Sequence, residues 1–536
     1  MKLFHFFRKE SRPPKSQIFF TAIVSGLANG YLLMIINSAA EAVNKSDEIQ
    51  FNNLILFFAD LLLLLYTKQY SLKQATVIAE NAINRVRMRV TDKLRRTELA
   101  YIETTGHADI YTRITQDTSL VSESAIILIN ACQQLIVVVV CLVYIAWLSI
   151  PGFLITVSVL GFAVVMYLYN SKHIGNNLHK VSVKESEFFN GIDSILAGFK
   201  EIKINRNKND ALFSHIETIS EETKDIKIST GLNFVIELMF AQTSFFILCA
   251  AIIFALPVLS PTFLGQIVGI TVAVLFLFGP LSMVVGAVPM FIRANVAVEN
   301  IYRLEEDIDA ASKDWQDIET QAPDFESLEL SQIRFRYPEH NQGSGFGVGP
   351  IDLKINKGDI LFIVGGNGSG KSTLIKLLTG LYYPLSGNIY INNKPLATDD
   401  YAHYRELFSS IFADFHLFEN LYGVGEVDQN QVDALLRTMD LEKKTTFKNK
   451  AFSNTDLSTG QKKRLAYIAS VLEDKQIYVF DEWAADQDPE FRKYFYEVLL
   501  QDLKKKGKTV IAVSHDDRYF SAADKVIKLE YGSITK

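Results

Sequence analysis

The chain has 536 residues, of which 49% are hydrophobic and 21% charged, so a disordered chain and a small disulfide-stapled scaffold are excluded. The formal net charge of -6 gives no general basic surface, which argues against nucleic acid as a partner. The three cysteines lie inside apolar runs without metal-ligand spacing, and we interpret them as packing residues.

Long apolar runs before residue 292 predict six membrane-spanning helices. The predicted spans are residues 17–39, 51–67, 124–148, 151–169, 232–256 and 263–289. Each is near the ~20 residues that a helix needs to cross hydrocarbon. The second span is the weakest because Asp60 interrupts it. The alternative is that some runs are buried core helices of a soluble protein, but a soluble domain rarely contains six such runs.

The polar stretches 68–118 and 170–230 are rich in Lys and Arg, whereas the remaining connections are short and poor in them. This asymmetry predicts that both stretches and both chain termini are cytoplasmic. Apolar residues recur at helical spacing in 71–100, so we expect the membrane helices to continue beyond the membrane as amphipathic rods. The N-terminal flank is positive, and the apolar run after it is long enough to remain as an uncleaved span.

A buried-strand pattern at residues 360–364 is followed by a glycine-rich loop and a helical pattern at 374–378. The loop fits G-x-x-x-x-G-K-[ST], whose backbone amides face phosphates at the start of a helix. Lys371 would supply a charge to the outer phosphates, and the Ser372 hydroxyl would bind Mg²⁺. The predicted ATP-binding residues here are Gly365, Gly366, Asn367, Gly368, Ser369, Gly370, Lys371, Ser372 and Thr373. The alternative is a simple glycine-rich turn.

Two further strand patterns end in residues suited to phosphate chemistry. The first, 476–480, leads into Asp481 and Glu482, and the second, 509–513, is soon followed by His515. We predict that Asp481 contacts Mg²⁺ and that Glu482 orients or deprotonates the attacking water. His515 would bind the γ-phosphate. The alternative for the carboxylates is an ordinary acidic junction between a strand and a loop.

The run 457–461, Leu-Ser-Thr-Gly-Gln, precedes a helical pattern at 462–472. It resembles the LSGGQ signature of ATP-binding cassette (ABC) proteins, with Thr459 in place of a glycine. The resemblance implies that Ser458, Thr459, Gly460 and Gln461 contact ATP held by a second subunit. It therefore implies a dimer, either of this chain or with a related half. The alternative for the run alone is a helix cap at Ser458 or Thr459.

The whole chain resembles an ABC exporter half-transporter. The implied fold is an α-helical six-span transmembrane domain (residues 1–310), a linker (311–324) and an α/β P-loop ATPase domain (325–536). The resemblance also implies that Tyr337 stacks on adenine and that Asp488 belongs to a loop linking the two ATP sites. It further implies coupling helices near residues 101–106 and 205–212.

Two departures from the general ABC pattern narrow the family. Ala413 stands where the glutamine of the Q-loop is usual, and Asp414 is a candidate for a magnesium or water contact. The run 481–489, Asp-Glu-Trp-Ala-Ala-Asp-Gln-Asp-Pro, resembles the cyclic-peptide transporter subfamily, which includes the bacterial pyoverdine-precursor exporter and relatives linked to peptide-antibiotic export. The alternative is drift within a general lipid or drug exporter.

These features predict an ATP-driven exporter that moves a cyclic or siderophore-like peptide out of the cytoplasm by alternating access, using ATP and Mg²⁺. The expected location is a bacterial inner membrane, with membrane lipid and a second copy of the chain as partners. The alternatives are an exporter of lipid or hydrophobic drug, and an ATP-responsive regulator or channel. The intact pair of Glu482 and His515 favours turnover.

Cargo specificity has to come from the membrane helices, because the ATP site is common to exporters of many substrates. Polar residues inside the predicted spans are the candidates, and intramembrane carboxylates are costly unless they face water or a partner. The candidate cargo residues are Asp60, Asn130, Gln134, Glu237, Gln242 and Gln266. The alternative for each is a bridge between helices.

Overall fold

The computed structural model describes residues 2–10, 15–44, 51–259, 266–312, 323–337 and 346–535. The chain divides into two compact units, Met1–Thr97 with Tyr101–Ala311 and Glu98–Ala100 with Ser312–Lys536. Most of the predicted linker (313–322) and the start of the predicted sixth span (263–265) lie outside the described residues.

Long helices build the first unit, and they run well beyond the length of a membrane span. In chain order the helices up to residue 311 are α1 (Lys2–Glu10), α2 (Lys15–Asn44), α3 (Phe51–Leu94), α4 (Leu99–Thr105), α5 (His107–Thr112), α6 (Thr118–Leu148), α7 (Ile150–Ala197), α8 (Phe199–Ile204), α9 (Arg206–Ala250), α10 (Leu256–Leu259) and α11 (Ile267–Ala311). Short π-helical segments join α5 to α6 and α9 to α10. The continuity of α3, α7, α9 and α11 confirms the predicted helical extensions.

Within the described residues, five helical stretches are long and apolar enough to cross a membrane. They are Phe20–Ala39, Phe51–Leu94, Asp109–Leu148, Arg206–Val258 and Ile267–Ala311, and five of the predicted spans overlap them. The predicted fourth span lies in α7, where the apolar helix found in the described residues is Ile150–Met166. That stretch is shorter than the ~20 residues of a full crossing, so the count of six spans stays a prediction.

Close packing of α2 on α6 depends on two glycines one helical turn apart. A Cβ atom on Gly26 would lie 2.7 Å from Ile136, and one on Gly30 would lie 2.5 Å from Val140. Small residues at this spacing let the backbones of membrane helices approach closely. Beside this contact, buried apolar side chains of α2, α6, α9 and α11 form one continuous core.

The second unit combines strands with short helices. Its strands are β1 (Ser327–Arg336), β2 (Gly347–Asn356), β3 (Ile360–Gly365), β4 (Ser386–Ile391), β5 (Lys394–Pro395), β6 (Phe408–Ile411), β7 (Phe447–Lys448), β8 (Ala451–Phe452), β9 (Ile477–Asp481), β10 (Thr509–Val513), β11 (Lys525–Glu530) and β12 (Ser533–Thr535). Its helices are α12 (Lys371–Leu378), α13 (Tyr401–Arg405), α14 (Gln429–Thr438), α15 (Thr459–Leu472), α16 (Pro489–Tyr494) and α17 (Leu500–Lys505).

The main sheet has the order β12-β11-β3-β10-β9-β6, and the pairs from β11 to β6 are parallel. Every residue of β9 and β10 is buried, as expected for parallel strands covered on both faces. Because parallel strands end at the same edge of a sheet, the residues after β3, β6, β9 and β10 gather there. The predicted strands at 360–364, 476–480 and 509–513 are confirmed within one residue at each end.

Candidate functional site

The predicted glycine-rich loop follows β3 at this edge and leads into α12. Gly365 and Gly370 have φ values of 150° and 103°, which side chains rarely adopt. A Cβ atom on Gly365 would lie 2.3 Å from the carbonyl oxygen of Leu529, and one on Gly370 would lie 2.8 Å from Cγ2 of Val348. Glycine is therefore required at both ends of the loop, and residues 366–368 between them are exposed.

Lys371 begins α12, and its side chain is turned back into the loop. Its Nζ donates hydrogen bonds to the carbonyl oxygens of Gly365 (3.1 Å) and Gly366 (3.0 Å). Ser369 is also buried, and its hydroxyl has no hydrogen-bond partner among the described residues. A buried ammonium beside an unpaired hydroxyl at the start of a helix suits the binding of a phosphate chain.

Asp481 ends β9, and its carboxylate is 3% exposed. Burial raises its pKa, and the charge of Glu482 raises it further, while hydrogen bonds from the Ser372 hydroxyl and the Ala413 N–H oppose that rise. The Oδ1 atom has no partner among the described residues. A hydroxyl next to a carboxylate with an unpaired oxygen fits the oxygen ligands that Mg²⁺ prefers. The structure thus brings together the two predicted magnesium ligands, Ser372 and Asp481.

Glu482 and His515 follow neighbouring parallel strands, β9 and β10, whose last residues Asp481 and Val513 are paired. The Nε2 atom of His515 lies 3.0 Å from Oε1 of Glu482. The side chain of His515 is 44% exposed and that of Glu482 is 37% exposed, so a water molecule can reach them. The two residues predicted to be catalytic are therefore in hydrogen-bond contact beside the buried Asp481.

The signature run forms the start of α15. Ser458 caps the helix: its Oγ accepts from the Gln461 N–H (3.4 Å), and the Gln461 side chain accepts from the Ser458 N–H (3.3 Å). The helix-cap alternative is thus confirmed as the geometry of this chain, and Ser458 and Thr459 stay exposed. A Cβ atom on Gly460 would lie 2.7 Å from the carbonyl oxygen of Asp486, so glycine is needed there. Contact of this run with ATP of a second subunit stays a prediction.

Two further predicted residues, Tyr337 and Asp414, lie near these elements. The Tyr337 hydroxyl is 3.1 Å from Oγ1 of Thr373, which puts the tyrosine beside the first turn of α12. Asp414 is exposed and follows the Ala413 amide that contacts Asp481. The stacking of Tyr337 on adenine and the magnesium contact of Asp414 stay predictions.

Asp488 caps α16, where its Oδ1 accepts from the Phe491 N–H at 2.8 Å. Its Oδ2 accepts from Arg464 of α15 at 2.7 Å. The loop that contains Asp488 is therefore tied to the signature helix of the same chain, and its link to a second ATP site stays a prediction.

Known proteins resemble this chain over nearly its whole length. The family described as ABC transporter matches residues 348–485. The chain is 33% identical over 535 residues to the ATP-binding protein SyrD of Pseudomonas syringae pv. syringae, with 96% of this chain and 92% of SyrD covered. The chain belongs to the ABC transporter family.

Two further comparisons cover different shares of the chain. The Escherichia coli (strain K12) protein CydC, a glutathione/L-cysteine transport system ATP-binding/permease protein, is 31% identical over 232 residues, which cover 41% of this chain and 39% of CydC. The structure of a bacterial Atm1-family ABC exporter with ATP bound superposes with a TM-score of 0.78 at 17% identity, covering 97% of this chain and 93% of that one. The predicted fold class, a helical transmembrane region joined to an α/β ATPase, is confirmed. The protein is an ATP-hydrolysing transporter of the half-transporter type.

The candidate cargo residues of the transporter differ in their surroundings. Gln242 and Gln266 are exposed, and Gln134 is half-buried. Asn130 is half-buried, and its Oδ1 lacks a hydrogen-bond partner among the described residues. Glu237 is 5% exposed, and neither of its carboxylate oxygens has a partner there.

Asp60 combines burial with a cavity. It is 9% exposed, and its Oδ2 has no hydrogen-bond partner in the described part of the chain. It lines a cavity of about 400 Å³ between α2, α3 and α6, together with Tyr31 and apolar residues. A carboxylate without a partner inside an apolar transmembrane segment marks a functional residue by default.

Two contacts that complete the ATPase site were not predicted from the sequence. The Ala413 contact is made by a backbone amide, which leaves no signature in residue type. Lys463 is buried and contacts the backbone of Glu482. Its position could have been found, because Lys463 shares a helical face with Ala466, Tyr467 and Ser470, all of them buried.

Proposed function

We propose that the transporter exports a cyclic or siderophore-like peptide from the cytoplasm and that ATP hydrolysis at two composite sites of a homodimer powers it. The hydrogen bond between Glu482 and His515 at 3.0 Å, next to Asp481, is the observation that carries turnover. A regulator or channel could tolerate a degenerate catalytic pair, whereas a pump needs an intact one. The run 481–489 and its resemblance to cyclic-peptide transporters support the class of cargo.

Each residue of the site has a distinct role in this proposal. Lys371 and the amides of the glycine-rich loop bind the phosphates of ATP. Ser372 and Asp481 would hold Mg²⁺, which offsets the negative charge of the phosphates when bound. Glu482 orients the attacking water and accepts its proton, and His515 binds the γ-phosphate and holds the Glu482 carboxylate. Tyr337 would stack on the adenine ring, and Asp414 would contact the attacking water or the metal.

A second copy of the chain completes each site. The exposed start of α15, with Ser458, Thr459, Gly460 and Gln461, would approach the nucleotide held by the glycine-rich loop of the partner. The positive end of the helix and the hydroxyl of Ser458 suit a phosphate there. Asp488 would belong to the loop that links the two ATP sites of the dimer. Closure of the two ATPase units on ATP would then switch the membrane helices between inward- and outward-facing states.

The charge pattern supports a location in a bacterial inner membrane with both termini in the cytoplasm. In the membrane helices, Asp60 is the best-supported cargo contact, because this buried carboxylate, unlike that of Glu237, lines the cavity between α2, α3 and α6. It would bind a positively charged or hydrogen-bonding group of the cargo. Glu237 and Asn130 are secondary contacts in this proposal.

Transport by inside-out membrane vesicles tests the proposal. Vesicles with the wild-type protein, supplied with the peptide extract of the producing cell, should accumulate a peptide only when ATP is present. Glu482→Gln should lower hydrolysis by on the order of 10²-fold or more and remove accumulation, because the general base is lost. Mass spectrometry of the vesicle contents identifies the peptide, and light scattering of the purified protein tests the dimer.

Glu490→Gln is the matched control, since Glu490 is an exposed carboxylate eight residues along the same segment. It should accumulate peptide like the wild type. Accumulation of a peptide by Glu482→Gln would show that the role assigned to Glu482 is wrong. ATP hydrolysis without any enriched peptide would redirect the proposal to a lipid cargo or to a regulator.

A further inference from the structure

A buried lysine of the signature helix contacts the segment that carries the catalytic carboxylate. Lys463 is 3% exposed, and its Nζ donates to the carbonyl oxygen of Glu482 at 2.7 Å. The same Nζ lies 2.6 Å from Oδ2 of Asp486. A buried ammonium needs such partners, because its desolvation would otherwise be costly. Both partners belong to the turn after β9, so one side chain holds two points of that turn.

The turn also holds the helix in return. The Trp483 Nε1–H donates to the carbonyl oxygen of Lys463 at 2.8 Å. The indole ring is 1% exposed and stacks on Phe495 with 4.4 Å between ring centroids. The Gln487 side-chain amide donates to the carbonyl oxygen of Gly460 at 3.0 Å. Hydrogen bonds in both directions therefore fasten residues 482–487 to the first turns of α15.

The backbone at Glu482 explains why such fastening matters. Glu482 has φ 52° and ψ 33°, the left-handed conformation that a residue with a side chain adopts only when its surroundings impose it. Its carboxylate meets His515 at 3.0 Å from this conformation. Rotation of the strained turn into a relaxed conformation would redirect the side chain. The hydrogen bond from Lys463 to the Glu482 carbonyl oxygen holds the peptide group whose orientation is set by the ψ angle of Glu482.

We infer that Lys463 is a positioning residue for ATP hydrolysis, holding the left-handed turn at Glu482 so that the carboxylate stays aimed beside His515. The inference rests on the proposed role of Glu482 as the general base. It assigns no contact with ATP to Lys463. In the proposed dimer the start of α15 faces the nucleotide of the partner, so the same lysine links one ATP site to the catalytic carboxylate of the other.

Steady-state ATPase kinetics of the full-length protein in detergent or vesicles tests this role. Lys463→Met keeps an apolar stem of similar length but removes the donor. Its kcat should fall by about tenfold to hundredfold, as expected when a catalytic group is slightly misplaced. Its KM for ATP should stay near the wild-type value. Lys443→Met is the control, because Lys443 is an exposed lysine outside α15 and no hydrogen bond or ion pair of its side chain occurs among the described residues. That control should keep the wild-type kcat.

A double variant separates positioning from simple charge balance. The variant that combines Lys463→Met with Asp486→Asn loses both charges of the ion pair. It also lacks the hydrogen bond to the Glu482 carbonyl oxygen. We expect the double variant to recover the thermal stability lost by Lys463→Met, with kcat remaining low. Recovery of both stability and kcat would show that Lys463 serves only as the ion-pair partner of Asp486 and would overturn the inference.

The inference and the proposed function can fail separately. If Lys463→Met keeps the wild-type kcat while the separate variant Glu482→Gln is inactive, only the positioning role of Lys463 is overturned. Full hydrolysis by Glu482→Gln would overturn the assignment of the general base on which the inference rests. Neither result depends on the nature of the cargo, because both are measured with ATP alone.

Discussion

Asp481 shows how a single residue of the ATPase unit trades stability for function. Its carboxylate is buried beside the charged Glu482, and both burial and that charge raise its pKa. A raised pKa means that the folded protein favours the protonated carboxyl more than the unfolded chain does. The negative charge required for binding Mg²⁺ is therefore held at a cost to stability when no metal is bound.

Asp481→Asn should separate these two effects. Hydrolysis of Mg²⁺-ATP should fall by at least ~10²-fold, since several kcal/mol of charge stabilisation is lost. In EDTA without nucleotide, the Tm of the variant should exceed that of the wild type at neutral pH, because the buried charge is gone. The wild type loses stability as the pH rises through the raised pKa, so the difference in Tm should shrink in acid.

Thermal unfolding of the full chain between acid and neutral pH checks this sign. Asp399→Asn, which changes an exposed carboxylate, should leave Tm nearly unchanged across the range. A lower Tm for Asp481→Asn at neutral pH would mean that the bonds from Ser372 and Ala413 outweigh burial and the charge of Glu482.

The residues of this site were predictable where chemistry demands a residue type. The glycines, Lys371, Asp481 and Glu482 follow from phosphate and metal chemistry at fixed positions along the chain. The Ala413 amide did not follow, because any residue except proline supplies that N–H. The partner of Lys463 did not follow either, because it is a backbone carbonyl brought near by the fold.

At the scale of elements, the short helix α1 is one part of the fold that the sequence did not reveal. Its nine residues resemble a basic flank, and only the structure shows Leu3 and Phe6 fully buried among side chains of α3 and α11. The strands β4, β6, β11 and β12 were missed for a related reason. They are short or lie towards the sheet edges with mixed burial, so they lack the continuous apolar run of β9 and β10.

A shared arginine joins α1 to both longer helices. Arg89 of α3 donates two hydrogen bonds to Glu10 of α1, at 2.8 and 3.0 Å, and one to Glu305 of α11 at 2.7 Å. The two carboxylates are 5% and 9% exposed, whereas Arg89 is 33% exposed. Removal of the arginine would leave the buried carboxylates of Glu10 and Glu305 without their shared cation.

Arg89→Met should therefore loosen α1. The expected loss is on the order of 2 kcal/mol, below the 3–5 kcal/mol of a fully buried pair because Arg89 is one-third exposed. Trypsin cleavage after Arg8 or Lys9 should accelerate about 30-fold, since cleavage follows the population of the opened helix. Proteolysis time courses followed by mass spectrometry measure this rate.

Lys93→Met is the comparison for this prediction, because Lys93 on the same helix pairs with the exposed Asp309. An exposed pair contributes ~1 kcal/mol at most, so cleavage should change only slightly. Equal acceleration in both variants would show that general loss of positive charge, and not the bridge to Glu10 and Glu305, controls α1.

For the whole molecule, the two compact units carry different functions. The residues of ATP chemistry lie in the second unit, while Asp60 and its cavity lie in the first. The motifs of the second unit identified its chemistry from sequence, whereas the first unit offered only polar residues inside apolar helices. The rotation of each helix about its axis decides which of those polar residues is buried and unpaired among the described residues. The sequence of a weakly amphipathic helix such as α3 does not determine that rotation.

Asp60→Asn tests whether the first unit selects the cargo through this carboxylate. If Asp60 binds a charged or hydrogen-bonding group, the cargo concentration for half-maximal transport should rise about tenfold, the effect of losing one charge-assisted hydrogen bond. The KM for ATP in the same assay should not change, since Lys371 and Asp481 lie in the other unit. Asp60→Glu keeps the charge and should recover part of the affinity, and Glu237→Gln asks whether the second buried carboxylate contributes. The assay uses the peptide fraction that wild-type vesicles accumulate. If Asp60→Asn needs the same cargo concentration as the wild type for half-maximal transport, the carboxylate serves helix packing. A group that bridges helices affects stability without discriminating between cargoes.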